Sequence, residues 1–102
     1  MFMRITWGKV RPGQWQGYEE AYKKGTALTR NAKGLKGRWL VQDVDDPDAG
    51  YSITLWESEA DMRDYRNDKT FKEQVLPLVQ PFWVDHYEVK FCRVKLKDGQ
   101  PV

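Results

Sequence analysis

Residues 45–59 read DDPDAGYSITLWESE, and this stretch decides the fold. Positions 51–56 are rich in β-branched and aromatic residues, which is typical of a β-strand. Positions 45–50 combine Asp, Pro and Gly, the residues that favour a turn. Ser58 follows at once and has the side chain of a helix N-cap, with acidic residues in the next turn that suit the positive helix end. The stretch therefore predicts a turn, a strand and the start of a helix in immediate succession.

The sequence before the turn predicts a strand, a helix and a second strand. Residues 2–10 are rich in β-forming residues and partly alternate in polarity. The aromatic residues that follow take the helical spacing i, i+3 and i+7: Trp15, Tyr18 and Tyr22. Gly25 marks a position where this helix could end. Residues 35–44 predict a strand that pairs with 51–56 as an antiparallel hairpin.

The sequence after the turn predicts an interrupted helix and a last strand. Apolar residues at helical spacing continue from Ser58, with a break at 67–70 and a weakening at Pro77. Residues 82–94 alternate again and predict the last strand.

The order of these elements is strand, helix, strand, strand, helix, strand. This is the α+β, ferredoxin-like βαββαβ arrangement, an antiparallel sheet with both helices on one face. We expect residues 1–97 to form this single domain and residues 98–102 to form a flexible tail.

Alternation gives each predicted strand two different faces. One face of the first and third strands is apolar and carries Met3, Ile5, Trp7, Tyr51, Ile53 and Leu55. The other face is mixed and carries Phe2, Arg4, Thr6, Ser52, Thr54 and Trp56. Neither face suits contact with water, so the sheet predicts face-to-face pairing as a homodimer. The mixed face, with His86 as a further candidate, could hold a pocket with a few polar groups. Which face meets the helices stays open.

Composition and charge exclude several classes of protein. Aromatic residues make up 14% of the chain, which favours a folded domain because disordered chains are poor in them. Residues 43–88 carry twelve acidic and four basic side chains, which argues against a nucleic-acid footprint. No apolar stretch has the length of a membrane span or of a secretion signal. Cys92 is the only cysteine, so we expect a cytoplasmic protein without a membrane partner.

The run LWESE at residues 55–59 carries a resemblance to a known family. Together with the turn and strand before it, it resembles the antibiotic biosynthesis monooxygenase-like family of the dimeric α/β-barrel superfamily. The stretches 5–10, 76–77 and 81–82 are similar too, so the resemblance covers nearly the whole chain. It implies a ferredoxin-like fold that pairs as a dimeric α/β barrel. The family combines oxygenases, haem-degrading enzymes and members without a known activity.

The resemblance implies a monooxygenase, cofactor-independent or flavin-assisted, that acts on a small aromatic or quinol-like compound. The family's cofactor-free oxygenases use an Asn and a Trp on the third strand and a Tyr early on the second helix. Trp56 matches the Trp, whereas Ser52 and Met62 stand at the other two positions and Tyr65 lies one turn further on. The haem-degrading members use an Asn on the first strand and a His with a Trp on the second helix. Neither that Asn nor that His is present, so haem is disfavoured while flavin stays open.

Six residues are candidates for a functional site. Tyr65 could donate a hydrogen bond to a substrate oxygen, and His86 is the candidate base because imidazole is the side chain best suited to exchange protons at physiological pH. Trp56 could stack on a flat substrate. The candidate substrate-binding residues are Trp56, Ser52, Thr6 and Trp7. Each candidate also has a plainer interpretation as a core or surface residue. One His and one Cys offer no metal-binding spacing, so no metal is expected.

Two other functions stay open beside the oxygenase. A non-catalytic homodimer of the same fold could bind a small hydrophobic or aromatic ligand, because no clear acid–base pair is visible in the sequence. RNA-recognition domains share this order of strands and helices, but they carry a basic, glycine and aromatic run on the third strand. Residues 51–56 lack that run, so a nucleic-acid partner is not expected.

Overall fold

The computed structural model describes residues 1–99, without the side chain of Asp85. The strands are β1 (Phe2–Val10), β2 (Leu35–Gln42), β3 (Ala49–Trp56) and β4 (Trp83–Arg93). The first helix is α1 (Trp15–Leu28). The second helical region comprises α2 (Glu59–Asp64), a 3₁₀ turn (Tyr65–Asn67), a wider π turn (Phe71–Val75), α3 (Leu76–Val79) and a second 3₁₀ turn (Gln80–Phe82). The end of the predicted tail, residues 100–102, lies outside the described part of the chain.

The strands form one antiparallel sheet in the order β2-β3-β1-β4. The order of elements and this strand order are those of the ferredoxin-like fold, so the α+β prediction is confirmed. The predicted hairpin of β2 and β3 is also present. No helix within residues 1–99 is both long and apolar enough to cross a membrane.

Helix α1 continues past the glycine at which the sequence suggested an end. Gly25 is buried within the helix, which runs on to Leu28. A Cβ atom at this position would lie 2.8 Å from Cγ1 of Val75, so only glycine lets the π turn pack this close. Thr29 donates a hydrogen bond to the carbonyl oxygen of Gly25 at 2.9 Å. The glycine therefore serves helix packing rather than helix termination.

The second helical region begins and breaks where the sequence predicts. Ser58 Oγ accepts a hydrogen bond from the backbone N–H of Asp61 at 3.1 Å and caps α2. The helix breaks after Asn67, and Asp68 Oδ1 accepts a hydrogen bond from the N–H of Phe71 at 2.9 Å, which starts the next turn. Phe71 and Val75 of the turn that follows both border the space between the helical region and the sheet.

The mixed face of the sheet is the one that meets the helices. Tyr22 of α1 is hydrogen-bonded to Ser52 on this face at 2.7 Å. Two buried clusters join the face to the helices: Val10, Tyr18, Ala21 and Val79 form one, and Trp56, Met62 and Tyr65 form the other. We call this helix-covered side the inner face; its polar members are Arg4, Thr6, Ser52 and Thr54.

The opposite side of the sheet, the outer face, carries no helix within residues 1–99; it is apolar on β2, β3 and β1, whereas the edge strand β4 adds Glu88 and Lys90 to it. The register aligns Ile5, Ile53 and Trp39 in one row across three strands. The next row contains Trp7, Tyr51 and Val41. Contiguous apolar surface of this kind on a small domain indicates a protein interface.

Replacement of the Ser58 cap tests the start of α2. We expect Ser58→Ala to lower the free energy of unfolding by about 1 kcal/mol, because one backbone N–H of the first turn loses its acceptor. Urea unfolding followed by circular dichroism measures the change. Ser58→Asp keeps a capping oxygen and is expected to stay within a few tenths of a kcal/mol of the wild type. Equal losses in both variants would contradict the capping role.

Candidate functional site

A cavity of about 400 Å³ lies between the inner face of the sheet and the helices. Aromatic and aliphatic side chains form much of its wall, among them Trp15, Tyr18, Leu40, Phe71, Val79 and Val89. Binding sites for small organic molecules have volumes of roughly 300–1,000 Å³ and mostly apolar walls with a few polar groups. The cavity therefore suits a small, flat organic ligand.

The hydroxyl groups of Tyr22 and Ser52 form a hydrogen-bonded pair on the wall of this cavity. Tyr22 belongs to the aromatic stripe of α1 that faces the sheet, and Ser52 lies on the inner face of β3; their oxygens are 2.7 Å apart, and either can be the donor. Burial raises the pKa of Tyr22 above its ordinary value. Burial also raises the pKa of Tyr18 to about 12. Both tyrosines therefore stay protonated at neutral pH and can donate hydrogen bonds to a ligand.

Thr6 adds a hydroxyl without a hydrogen-bond partner. It lies directly opposite Ser52 in the register of β1 and β3, and it lines the same cavity. Its Oγ1 atom is buried and has no partner among the described residues. Buried polar groups are nearly always paired in folded proteins, so an unpaired hydroxyl at a cavity wall indicates a place for a ligand or an ordered water.

Two arginines extend along the inner face beside these hydroxyls. Arg4 of β1 and Arg38 of β2 both lie opposite Thr54 of β3. Arg38 donates a hydrogen bond to Thr29 Oγ1 at 2.8 Å. Burial lowers the pKa of Arg4, but a guanidinium group keeps its charge at neutral pH. The cavity thus combines aromatic walls, neutral hydroxyls and positive charge.

Tyr65 lies at the cavity wall, as the sequence analysis suggests for a substrate-contacting residue. Its ring packs on Trp56 and Phe71, with ring centroids 5.1 and 4.9 Å apart. Its hydroxyl lies 3.5 Å from a guanidinium nitrogen of Arg38. Tyr65 therefore contributes its ring to the core and its hydroxyl to the polar side of the cavity.

Trp56 lies in the core behind the cavity rather than on its wall. It is fully buried and packs with Met62 and Tyr65. Its indole N–H donates to Thr54 Oγ1 at 2.8 Å, so the polar atom of the indole already has a partner. Stacking of Trp56 on a substrate stays a prediction, and no contact with the cavity supports it.

Trp7 lies on the other side of the sheet from the hydroxyl pair, whereas His86 lies on the edge strand β4. Their ring centroids are 5.8 Å apart. His86 also borders the cavity mouth at the sheet edge, but it is exposed and its Nε2 atom lies 3.9 Å from Glu88. The structure therefore brings Thr6, Ser52 and Tyr65 together on the cavity wall, places the exposed His86 on the same wall at the edge strand, and leaves Trp7 on the opposite face of the sheet.

The cavity offers haem iron a poor set of donors, because the one imidazole on its wall, His86, is exposed at the edge of the sheet. His86 and Cys92 are the only imidazole and thiol of the sequence. The His86 ring packs on Trp7, and Cys92 pairs with Met3 in the register, on the outer face. The buried tyrosine hydroxyls have raised pKa values, which opposes the phenolate form that binds iron. Within the described residues no three His, Cys, Asp or Glu side chains are grouped to hold a metal ion.

The sequence pattern does not reveal that Tyr22, Arg4 and Arg38 line the cavity. Tyr22 is visible only as a member of a helical stripe, which predicts core packing. Arg4 does fall on the mixed face by alternation, and this is a signal that could have found it. This alternation points to a shared site only together with the strand register, which places Arg4 and Arg38 on the same row as Thr54.

The fold and the cavity together define a small ferredoxin-like protein with a cavity of ligand size between its sheet and its helices. The chain belongs to the antibiotic biosynthesis monooxygenase family, whose model matches residues 1–75. The resemblance found in the sequence is thereby confirmed. A comparison with curated proteins finds no match.

Three solved structures show the same fold. A Bordetella bronchiseptica protein assigned to the antibiotic biosynthesis monooxygenases has a TM-score of 0.84 and 23% identity over 93% of this chain and 97% of its own. SnoaB, a cofactor-independent oxygenase from Streptomyces nogalater, has a TM-score of 0.75 and 13% identity over 94% of each chain. The heme-degrader MhuD from Mycobacterium tuberculosis, with two hemes bound in its active site, has a TM-score of 0.80 and 18% identity over 97% and 100%. At these identities the likeness is one of fold.

Proposed function

We propose that this protein is a cofactor-independent monooxygenase that acts on an electron-rich phenol or quinol. The observation that carries the proposal is the aromatic cavity on the inner face, with the Tyr22–Ser52 hydroxyl pair on its wall. Family membership supports the same class of reaction. The shared fold with SnoaB, a cofactor-independent oxygenase, is consistent with chemistry that needs no cofactor.

The proposed reaction draws its electrons from the substrate. The phenol loses its hydroxyl proton and a ring hydrogen, one atom of O₂ becomes the new carbonyl oxygen, and the other atom leaves as water. Phenol and O₂ thus give quinone and water, with atoms and electrons in balance. The phenolate is the form that transfers electrons to O₂, so the protein's task is to hold the ring and favour the ionised hydroxyl.

The residues of the cavity divide this task. The aromatic wall holds the ring, and the Tyr22–Ser52 pair hydrogen-bonds the substrate oxygen. The positive charge of the cavity wall lowers the pKa of a phenol bound inside it. In this proposal the charge takes the place of a general base, because the His86 ring borders the cavity only at the exposed sheet edge, where it packs on Trp7. Tyr65 adds a donor from the helical region.

We further propose that the protein works as a homodimer in the cytoplasm, paired through its outer faces as a dimeric α/β barrel. The apolar outer face supports the pairing, because each copy presents the same uncovered rows. An unpaired, exposed thiol at Cys92 suits a reducing compartment.

Oxygen consumption tests the proposed reaction. Purified protein is mixed with a panel of naphthols and hydroquinones, without added flavin, and O₂ uptake and quinone absorbance are followed together. We expect one quinone and no hydrogen peroxide for each O₂ consumed, because direct autoxidation of a hydroquinone also gives one quinone per O₂ but releases peroxide in place of water. Tyr22→Phe removes one hydroxyl and keeps the ring, and we expect it to lower kcat/KM by about tenfold to hundredfold, the loss typical of a hydrogen bond to a charged group.

A control and two opposing outcomes complete this experiment. Lys24→Gln changes an exposed side chain of the same helix and is expected to leave the rate unchanged. Activity that appears only with reduced flavin would replace the cofactor-independent mechanism by a flavin-assisted one. Binding of the panel without any O₂ uptake would favour the non-catalytic ligand-binding protein.

A further inference from the structure

The cavity wall carries positive charge that no described carboxylate on the wall balances. Arg4, Arg38, Arg66 and Lys72 line the cavity, and none of them forms an ion pair within the described residues. A fifth cation, Lys9, is paired with Asp46 at 2.8 Å. Among the side chains that the structure describes, which leave out Asp85, no Asp or Glu lines the cavity. Arg4 and Arg38 are partly buried, whereas Arg66 and Lys72 are exposed, and a partly buried cation is stabilised by an anionic partner.

The two arginines on the sheet are placed to share one anion. Both lie in register with Thr54, on the strands to either side of it. The strand spacing puts their Cα atoms roughly 10 Å apart, a distance that two extended guanidinium groups can close upon a single small anion. Thr54 itself is buried, and its hydroxyl already accepts the Trp56 indole N–H. The row Arg4, Thr54 and Arg38 therefore has an arginine at each end and no negative group between the two.

Within the described part of the chain, Arg4 has more N–H donors without a hydrogen-bond partner than Arg38 has. Arg38 donates to Thr29 and approaches the Tyr65 hydroxyl. Arg4 has no side-chain hydrogen bond among the described residues, although it is half-buried. A guanidinium group presents five N–H donors in a planar fork, which matches the two oxygens of a carboxylate.

The hydroxyl groups lie one row further along the sheet. Thr6 and Ser52 face each other in the register two residues along from Arg4 and Thr54, and Tyr22 joins Ser52 from α1. Two residues of a strand span roughly 7 Å. This separation is of the order of the distance between groups at opposite positions of one aromatic ring. The cavity thus offers a cationic end and a hydroxyl end to the same ring.

We infer that the cavity selects an anionic aromatic substrate, a hydroxyaryl carboxylate whose carboxylate pairs with Arg4 and Arg38 while its hydroxyl reaches Thr6, Ser52 and Tyr22. That the bound molecule is a substrate rests on the proposed oxygenase function. The preference for an anionic molecule rests on the cavity alone. The inference restricts the proposed substrates to phenols that also carry an acidic group. It also gives the unpaired Thr6 hydroxyl a partner.

A pair of matched probes tests this selection by binding alone. The probes are 4-hydroxynaphthalene-1-carboxylate and the corresponding carboxamide, which differ in charge and keep the same ring. Isothermal titration at neutral pH and low salt measures both affinities. We expect the carboxylate to bind about tenfold to hundredfold more tightly than the amide, as charge-assisted bidentate pairs do. Arg4→Gln is expected to remove most of this ratio and to change the affinity for the amide by less than about twofold.

Two further variants keep the test decisive. Arg4→Lys retains the charge without the planar fork, so we expect it to keep part of the carboxylate-to-amide affinity ratio. A folded Arg4→Lys that keeps part of this ratio shows that the loss in Arg4→Gln does not come from misfolding. Arg30→Gln removes an exposed arginine that does not line the cavity and is expected to leave the ratio unchanged. Equal binding of the two probes, or binding of neither, overturns the inference.

Oxygen uptake with the same probes separates the two proposals. Arg4-dependent binding of the carboxylate without O₂ uptake by any phenol would leave the charge selection intact and remove the oxygenase. Uptake with neutral phenols, at equal rates for matched acids and amides, would leave the oxygenase intact and remove the charge selection.

Discussion

Replacing Trp56 with alanine is expected to lower the free energy of unfolding by about 3–5 kcal/mol, the range measured for large aromatic residues in protein cores. Trp56 has no exposed surface, and its ring packs against Tyr65 and Met62 at the join of β3 and the second helical region. Removal of the indole leaves a void that the surrounding backbone of the sheet can fill only in part. It also leaves Thr54 Oγ1 without its donor.

Urea unfolding of Trp56→Ala and Trp56→Phe measures this effect. Trp56→Phe keeps much of the ring volume and loses the hydrogen bond to Thr54, so a smaller loss of about 1–2 kcal/mol is expected. Substrate KM in the folded fraction is expected to change little in Trp56→Phe, because Trp56 does not line the cavity. A loss below about 1 kcal/mol in Trp56→Ala, together with a large rise in KM, would return Trp56 to the substrate-binding role that the sequence suggests.

The fold could be predicted from the sequence because its signals are local. Ser58 is a cap by its own chemistry, and the alternation at residues 51–56 is preserved in the sheet. Gly25 shows the limit of this reasoning. A glycine near the end of a helical pattern favours termination, but here a long-range contact with Val75 explains the glycine and the helix continues. Such a contact leaves no trace in the neighbouring sequence.

The site could be predicted only in part, because it depends on which face of the sheet the helices cover. Thr6 and Ser52 were placed together by alternation, and the register confirms that they are neighbours. His86 and Trp7 have side-chain chemistry that suits a site, but chemistry does not reveal the side of the sheet on which they lie. Alternation places Arg4 on the mixed face, but an arginine on a strand more often faces solvent, so the pattern alone does not mark it as a site residue. Its value as a ligand group appears only with the cavity around it.

Placing a charge at the centre of the outer face is expected to separate the proposed dimer. Ile53 stands in the middle row of that face, between Ile5 and Trp39. In a two-fold interface each substitution appears twice, so Ile53→Lys buries two like charges without partners. The expected rise in the dimer dissociation constant is about a thousandfold or more, since each unpaired buried charge costs several kcal/mol.

Sedimentation velocity over a range of protein concentrations measures this change, with circular dichroism to confirm that Ile53→Lys is folded. Val44→Lys makes the same kind of change at a turn residue that is 95% exposed, and it is expected to leave the dimer unchanged. A wild-type chain that stays monomeric at high concentration, or an Ile53→Lys chain that stays dimeric, contradicts pairing through this face.

The outer face and the cavity wall are the two sides of the same sheet, because Ile53 alternates with Ser52 and Thr54 along β3. A stable dimer would therefore hold the inner-face hydroxyls and arginines on a rigid support, and loss of the dimer is expected to weaken ligand binding as well.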